Sequence, residues 1–334
     1  MRVAGKTFMG VIILKKDNRK VALIGTGLVG MSFAFAIINQ NLCDELVLID
    51  IDAQRAEGEA MDLNHGMAFA QSRIKIYAGV YGDCSDADIA VITAGANQKP
   101  GETRLELLNK NAAIISQVVV SVLESGFSGL FLVATNPVDI MTRLVKELSG
   151  FDGAHVIGSG TTLDTARLRY LIGDYFSIDP RNVHAYVIGE HGDSEFVAWS
   201  QALVSTVPVT EMCIRSRLCA LNDLQEIEDD VRNAAYVIIK AKKATYYGIG
   251  MALARIVKAI FADESSILTV SACMKGEYGL NGVYIGVPSV VGRDGIKRVL
   301  PLSLTTDELA KLTESGRILE ENYRSIEAVK PILA

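Results

Sequence analysis

No stretch of the chain is long and apolar enough to cross a bilayer. The first apolar run, Met9 to Leu14, is too short even for the core of a signal peptide, and Ser, Gln or charge interrupts every later one. Cysteines are few and odd in number: Cys43, Cys84, Cys213, Cys219 and Cys273. None stands in C-x-x-C spacing, which argues against a disulfide framework or a zinc site and fits a reducing compartment. Neither sign of charge dominates, with 33 Lys and Arg against 39 Asp and Glu. A formal net charge of −6 gives no electrostatic reason to expect nucleic acid or an anionic membrane surface, so an anionic ligand must be gripped by local arginines. The 334 residues contain no internal repeat and no low-complexity linker, and their number suffices for two domains. These exclusions leave a cytoplasmic globular protein with no metal, nucleic-acid or membrane partner expected.

What the chain does contain is alternation. Lys20–Ile24, Glu45–Asp50, Ala87–Thr93, Leu130–Thr135 and His155–Ile157 are short apolar runs of strand length. Helical patterns at Met31–Asn39, Leu105–Leu123 and Asp139–Leu148 fall between them. Near-continuous apolar strands separated by helices predict a parallel sheet covered on both faces, a Rossmann-type doubly wound α/β fold. From about residue 160 the rhythm changes. A helix containing LDTARLRYLIGDYF precedes a strand Val183–Ile188, a long helix from about Asp223 to Tyr247, strand-like runs at Ser266–Ala272 and Val283–Pro288, and a charged helix from about Thr306. The expected organisation is an extension over 1–19, a doubly wound domain over 20–160, and an α+β domain over 161–334.

Gly25-Thr26-Gly27-Leu28-Val29-Gly30 follows the first strand, opens a helix, and is followed 20 residues after its last glycine by Asp50 at a strand end. Each part of this G-x-G-x-x-G unit has a mechanical reason. Gly25 permits a tight turn, Gly27 lets the backbone approach a pyrophosphate, and Gly30 lets helix pack on strand. Free N–H groups at the helix start face the phosphates. Asp50 would accept from the adenosine ribose hydroxyls and repel a 2′-phosphate, favouring NAD over NADP, although Asp52 competes for that place.

Three further segments carry chemistry. The polar loop from Ala94 to Arg104 follows a strand and suits a lid over a cofactor crevice. Thr135-Asn136-Pro137-Val138-Asp139 ends another strand. Asp164 and Arg167, three residues apart on one helix face, precede Gly189-Glu190-His191-Gly192-Asp193 by some two dozen residues. An arginine can hold a 2-oxo acid by its carboxylate through paired hydrogen bonds. Reducing the ketone also needs a hydride and a proton donor near neutral pH, the task of a histidine beside a carboxylate. His65 and His155 read instead as structural histidines.

GTGLVG, TAGANQKPGETRLELL, TNPVD, GSGTTLDTARLR and GEHGDSE, in this order and spacing, resemble the L-lactate/malate dehydrogenase family, bacterial type. The likeness runs from about residue 20 to the end and includes ATYYGIGMALARI and YIGVPSVVGRDGI. It implies reversible NADH-dependent reduction of pyruvate to L-lactate in a homotetramer. His191 would be the acid/base, Asp164 its orienting partner, Arg167 the carboxylate clamp, and Arg104 the lid residue that polarises the carbonyl. Asn136 would touch nicotinamide and substrate, Thr245 would line the pocket, and Ile249 would lie against the nicotinamide. Val29 and Thr93 complete the expected cofactor contacts. Gln98 stands where malate-specific members carry arginine, so a methyl group fits better there than a second carboxylate. Arg169 and His184 match residues that bind fructose 1,6-bisphosphate in activated bacterial members. Malate or branched 2-hydroxy acids are the alternative substrates, and a non-catalytic NAD-binding protein is the alternative class. Lys240-Ala241-Lys242-Lys243-Ala244 departs from a stretch the family makes richer in glycine.

Overall fold

The computed structural model describes residues 19–71, 73–96, 101, 103–216 and 221–326. Gln98 and nearly all of the N-terminal extension lie outside them. In chain order the elements begin with β1 (Lys20–Ile24), α1 (Leu28–Asn39), β2 (Glu45–Ile49), α2 (Ala53–Gly66), β3 (Lys75–Ala78) and β4 (Ile89–Ile92). There follow α3 (Arg104–Glu124), β5 (Leu130–Val133), α4 (Val138–Ser149), β6 (Val156–Gly158) and α5 (Thr162–Phe176). β1 to β6 are parallel and lie in the order β3-β2-β1-β4-β5-β6. The order reverses between β1 and β4, which opens a crevice beyond the carboxyl ends of those strands, the place where such sheets bind ligands. β1, β4 and β5 are buried along their whole length, as strands covered on both faces must be.

The remaining strands and helices are β7 (Val183–His184), β8 (Val187–Ile188), β9 (Phe196–Val197), β10 (Leu203–Val204), β11 (Val207–Pro208), α6 (Val209–Ser216), α7 (Leu221–Lys242) and α8 (Tyr247–Phe261). The chain then forms β12 (Ser266–Lys275), β13 (Asn281–Gly292), β14 (Gly295–Val299) and α9 (Thr306–Arg324). β12, β13 and β14 are antiparallel and continue the first sheet past β6, making nine strands in one sheet. Val183, Val187, Leu168, Ile172 and Val231 belong to a second, smaller core around α5 and α7.

The structure corrects three expectations. Val183–Ile188 is not one strand: β7 pairs with β10 in a three-stranded sheet, while β8 pairs with β9 in another. The helix expected to reach Tyr247 stops at Lys242, because Lys243 takes a left-handed φ of 72° and α8 starts afresh at Tyr247. α8 then packs on α1 so closely that a Cβ on Gly250 would meet Ser32 C at 2.7 Å. Cys43, Cys84 and Cys273 are free thiols, but Cys213 is disulfide-bonded, so cysteine pairing is not wholly absent. No helix among the described residues is long and apolar enough to cross a membrane.

Candidate active site

The glycine-rich turn is built as its spacing requires. β1 runs into Gly25, whose φ of 103° lies in the region that favours glycine, and a Cβ there would strike the Ala94 backbone at 2.6 Å. A Cβ on Gly30 would collide with Gly25 O at 2.1 Å, so this glycine is what lets α1 close on the turn. Gly27, the N-cap of α1, has nothing within 4 Å of a Cβ position, which leaves the backbone open to a ligand. Val29 lies in the first turn of the helix and is half-buried. Thr93, after β4, donates through Oγ1 to Gly25 O at 2.7 Å and so joins the two strands that flank the crevice.

Asp50 accepts through Oδ2 from Thr26 N at 2.7 Å and Thr26 Oγ1 at 2.9 Å, and through Oδ1 from Asp52 N at 3.0 Å. Burial pushes its carboxyl up, but these N–H and O–H donors outweigh burial and hold it below its ordinary value. An ionised acid therefore stands beside the turn. Asp52 is engaged elsewhere, as the N-cap of α2, where it accepts from Arg55 N at 3.1 Å. An open Gly27, a helix start and a charged acid at the next strand end together fit a dinucleotide.

Asn136 follows β5 at a cis Asn136–Pro137 bond. Its carbonyl accepts from Asn111 Nδ2 at 2.9 Å, and Asn111 Oδ1 accepts from Ala96 N at 2.8 Å. Buried Asn111 of α3 thus ties the loop after β4 to the loop after β5. Sequence reasoning missed it, since an asparagine inside an apolar helix gives no local sign of its partners.

His191 and its neighbours come together from separate segments. Asp164 in the first turn of α5 is buried. Its Oδ2 lies 2.6 Å from His191 Nδ1, and its Oδ1 accepts from Arg167 NH1 at 2.6 Å. Burial alone would drive the His191 imidazole down, but Asp164, then Glu195 and Asp139, push it up to about 9. Burial likewise opposes ionisation of Asp164, yet His191 and Arg167 hold its carboxyl below its ordinary value. A quarter of the His191 side chain remains exposed, so its proton has a route to solvent or ligand. Glu195, not foreseen as a site residue, lies with an oxygen 4.0 Å from His191 Nδ1 and is pushed up to about 8 by burial and by Asp164. Ligand atoms of Asp164, His191 and Glu195 all lie within 4.8 Å of one another. Both Asp164 oxygens are already occupied, by His191 and by the Arg167 guanidinium.

Arg104 opens α3 and reaches the same turn: its NH2 donates to Asp193 Oδ2 at 2.8 Å, while Tyr236 of α7 donates to Asp193 Oδ1 at 2.9 Å. The arginine is largely exposed, as a residue bordering a polar loop should be. Thr245 sits in the break between α7 and α8, and Ile249 is half-buried in the first turn of α8. Gly248, between them, abuts Leu163, the neighbour of Asp164, with a Cβ position 2.8 Å from Leu163 Cδ1. Arg169 points elsewhere, donating from Nε to Pro180 O at 3.2 Å, and His184 is exposed on β7.

With this geometry in hand, likeness to other proteins is informative. Residues 19–158 match the lactate/malate dehydrogenase NAD binding domain, and residues 161–330 match the lactate/malate dehydrogenase alpha/beta C-terminal domain. An L-lactate dehydrogenase of Bacillus velezensis is 55% identical over 309 residues, 92% of this chain and 98% of that protein. Another from Priestia megaterium is 54% identical over 304 residues, 91% of this chain and 95% of that one. Among solved structures, the ligands-bound minor L-lactate dehydrogenase of Enterococcus mundtii superposes with a TM-score of 0.92 at 48% identity, covering 93% of this chain and 99% of that chain.

Proposed function

The chain belongs to the lactate/malate dehydrogenase family, with NAD as its cofactor, and from that premise we propose that it reduces pyruvate to L-lactate and reverses the reaction, with His191 exchanging the proton. The observation that carries this reading is the His191–Asp164–Arg167 cluster, one carboxylate bonded at 2.6 Å to both an imidazole and a guanidinium. NADH, when bound, supplies the hydride. Gly25, Gly27, Gly30 and Val29 would cradle its phosphates, Asp50 its ribose, and Thr93, Asn136 and Ile249 the nicotinamide end. Arg167 keeps guanidinium N–H groups beyond the one given to Asp164, and these would grip the substrate carboxylate. His191, held protonated by Asp164, would donate from its other ring nitrogen to the carbonyl oxygen. Arg104 would leave Asp193 to polarise that carbonyl, and Thr245 would line the pocket.

Gln98 is neutral and so favours pyruvate over oxaloacetate. NADH oxidation with pyruvate, oxaloacetate and 2-oxoisocaproate tests the assignment, with pyruvate expected to give the highest kcat/KM and Gln98→Arg to shift preference toward oxaloacetate. Equal rates on all three acids, or an unmoved preference in the variant, would sink it. Arg169 and His184 we assign to a fructose 1,6-bisphosphate site. In support, Arg169 projects away from Arg167 and Asp164, and His184 is free to meet a phosphate. A pyruvate saturation curve that does not respond to the sugar bisphosphate removes that assignment. Self-association into a homotetramer is supported by a trough of about 550 Å³ among α1, α2 and α8, where Leu28, Phe35, Tyr247 and Met251 lie exposed. A division into residues 20–160 for the cofactor and 161–334 for the substrate, and a cytoplasmic location, complete the proposal.

A further inference from the structure

The TNPVD motif supplies Asn136 to the proposed site, yet its last residue takes no part in that chemistry. Asp139 stands buried in the first turn of α4, and its Oδ2 accepts from the main-chain N–H of His191 at 2.8 Å. One residue earlier, Glu190 N–H donates to Oγ of Ser315, a fully buried residue of α9, at 2.7 Å. The same hydroxyl lies 2.9 Å from Ser194 Oγ, which donates to Glu190 Oε2 at 2.6 Å. Gly189, one residue further back, exchanges both main-chain bonds with Gly286 of β13, at 3.0 and 2.9 Å. A Cβ on Gly189 would sit 3.1 Å from Ser315 Oγ, so turn and helix are packed without slack.

Three consecutive residues of a turn are thus fixed from three separate elements, α4, α9 and β13. A turn that only needed satisfied amides could point them at water, as exposed loops do. Here an aspartate is buried to receive one of them, although burial opposes its charge and pushes its carboxyl up to about 6. The charge also faces the protonated imidazole favourably.

We propose that Asp139 and Ser315 are positioning residues for His191, holding the main chain of residues 190 and 191 so that the imidazole meets both Asp164 and the substrate. The proposal rests on the reading of His191 as the proton donor. Misplacing a reacting group by about 1 Å can cost on the order of a hundredfold in rate, so even partial loosening should register in kcat.

Asp139→Ala and Ser315→Ala each remove one acceptor, whereas Asp139→Asn keeps an oxygen for the His191 amide. Asp139→Ala is expected to lower kcat by about tenfold or more, with NADH affinity within about twofold, and Asp139→Asn to recover most of the loss. Ser315→Ala should lower kcat by a smaller factor, about threefold. In both alanine variants the isotope effect from NADH deuterated at the transferred position should grow, because a looser histidine makes the chemical step slower. A damaged fold would instead reduce active protein and leave the isotope effect alone. Unchanged kcat and isotope effect in Ser315→Ala, or Asp139→Asn as slow as Asp139→Ala, would overturn the proposal. Should Asp139→Ala not fold, Ser315→Ala and Asp139→Asn decide: the first must slow kcat and enlarge the isotope effect, the second stay near wild type. His191→Gln separates the two ideas. Retained turnover there removes the role of His191, while lost turnover with silent anchors removes only the anchoring.

Discussion

At His191 the charge is set by a contest between burial and carboxylates. Asp164 is the strongest favourable neighbour, and the imidazole is held at about 9, well above its ordinary 6.5. Glu195 also raises the imidazole, by less than Asp164, while its own carboxyl is pushed up to about 8 by burial and by Asp164. With His191 as the proposed proton donor, pyruvate reduction should fall as pH rises through about 9, and lactate oxidation should gain over the same range. The stability that His191 gains from its charged partners is complete below pH 6.5 and is lost as pH rises through about 9. Asp164→Asn should lower the alkaline limb of kcat/KM for pyruvate by about one to three pH units, and Glu195→Gln by less. A pH profile of each variant checks this, and a limb that stays put in Asp164→Asn would show that another group titrates.

Much at this scale was legible in the chain. Gly25, Gly27 and Gly30 each answer a local demand of one turn, and local demands leave spacing as their trace. Asp164 and Arg167 share a helix face by arithmetic alone. Asn111, Asp139, Glu195 and Ser315 were not legible as site residues, because their partners lie on other elements and nothing beside them in sequence marks the contact.

Among elements, α3 does more than cover the sheet. Its N-terminus carries a capping box in which Thr103 Oγ1 accepts from Glu106 N and Glu106 Oε2 accepts from Thr103 N. Arg104 is the next residue, so the cap fixes the base of the side chain that reaches Asp193. α9 starts with the same device, Thr305 and Glu308, far along the chain from Arg104. Thr103→Ala and Thr305→Ala should each destabilise by about 1 kcal/mol in denaturant unfolding. Only Thr103→Ala should also lower kcat/KM for pyruvate by more than that loss explains, and equal kinetic effects of the two would show that the cap has no hold on Arg104. The cap of α3 is hidden in sequence because Thr103 ends a polar loop in which many residues could serve as caps. The split of the expected strand at 183–188 was equally hidden. Apolar alternation shows that residues are buried and extended, but not which of two sheets receives them.

At the scale of the whole molecule, an apolar trough lies among α1, α2 and α8. Phe35 is 63% exposed and Tyr247 68%, more than a solitary chain gains by showing. If copies of the chain cover this trough, Phe35→Arg should lower the mass seen in sedimentation, and it should lower thermal stability as well because the trough returns to water. An unchanged mass would place the interface elsewhere. The alternation of strands and helices made the parallel half of the sheet readable from sequence. The antiparallel half is legible as strands but not as neighbours of β6, because the register of Ser271 on Gly158 leaves no local mark.

That shared sheet limits how the protein can be divided. β12 joins β6 through the pair Ser271 and Gly158, just where the two family domains meet in sequence. Cutting the chain near residue 160 would give each fragment a raw strand edge, β6 on one and β12 on the other, ready to recruit further copies. The two halves are distinct as texts but not as objects. A recombinant that borrows its second half from a relative inherits a seam to be matched strand against strand, so grafting substrate preference by whole-half exchange should yield aggregates more often than exchange of the Ala94–Arg104 loop alone.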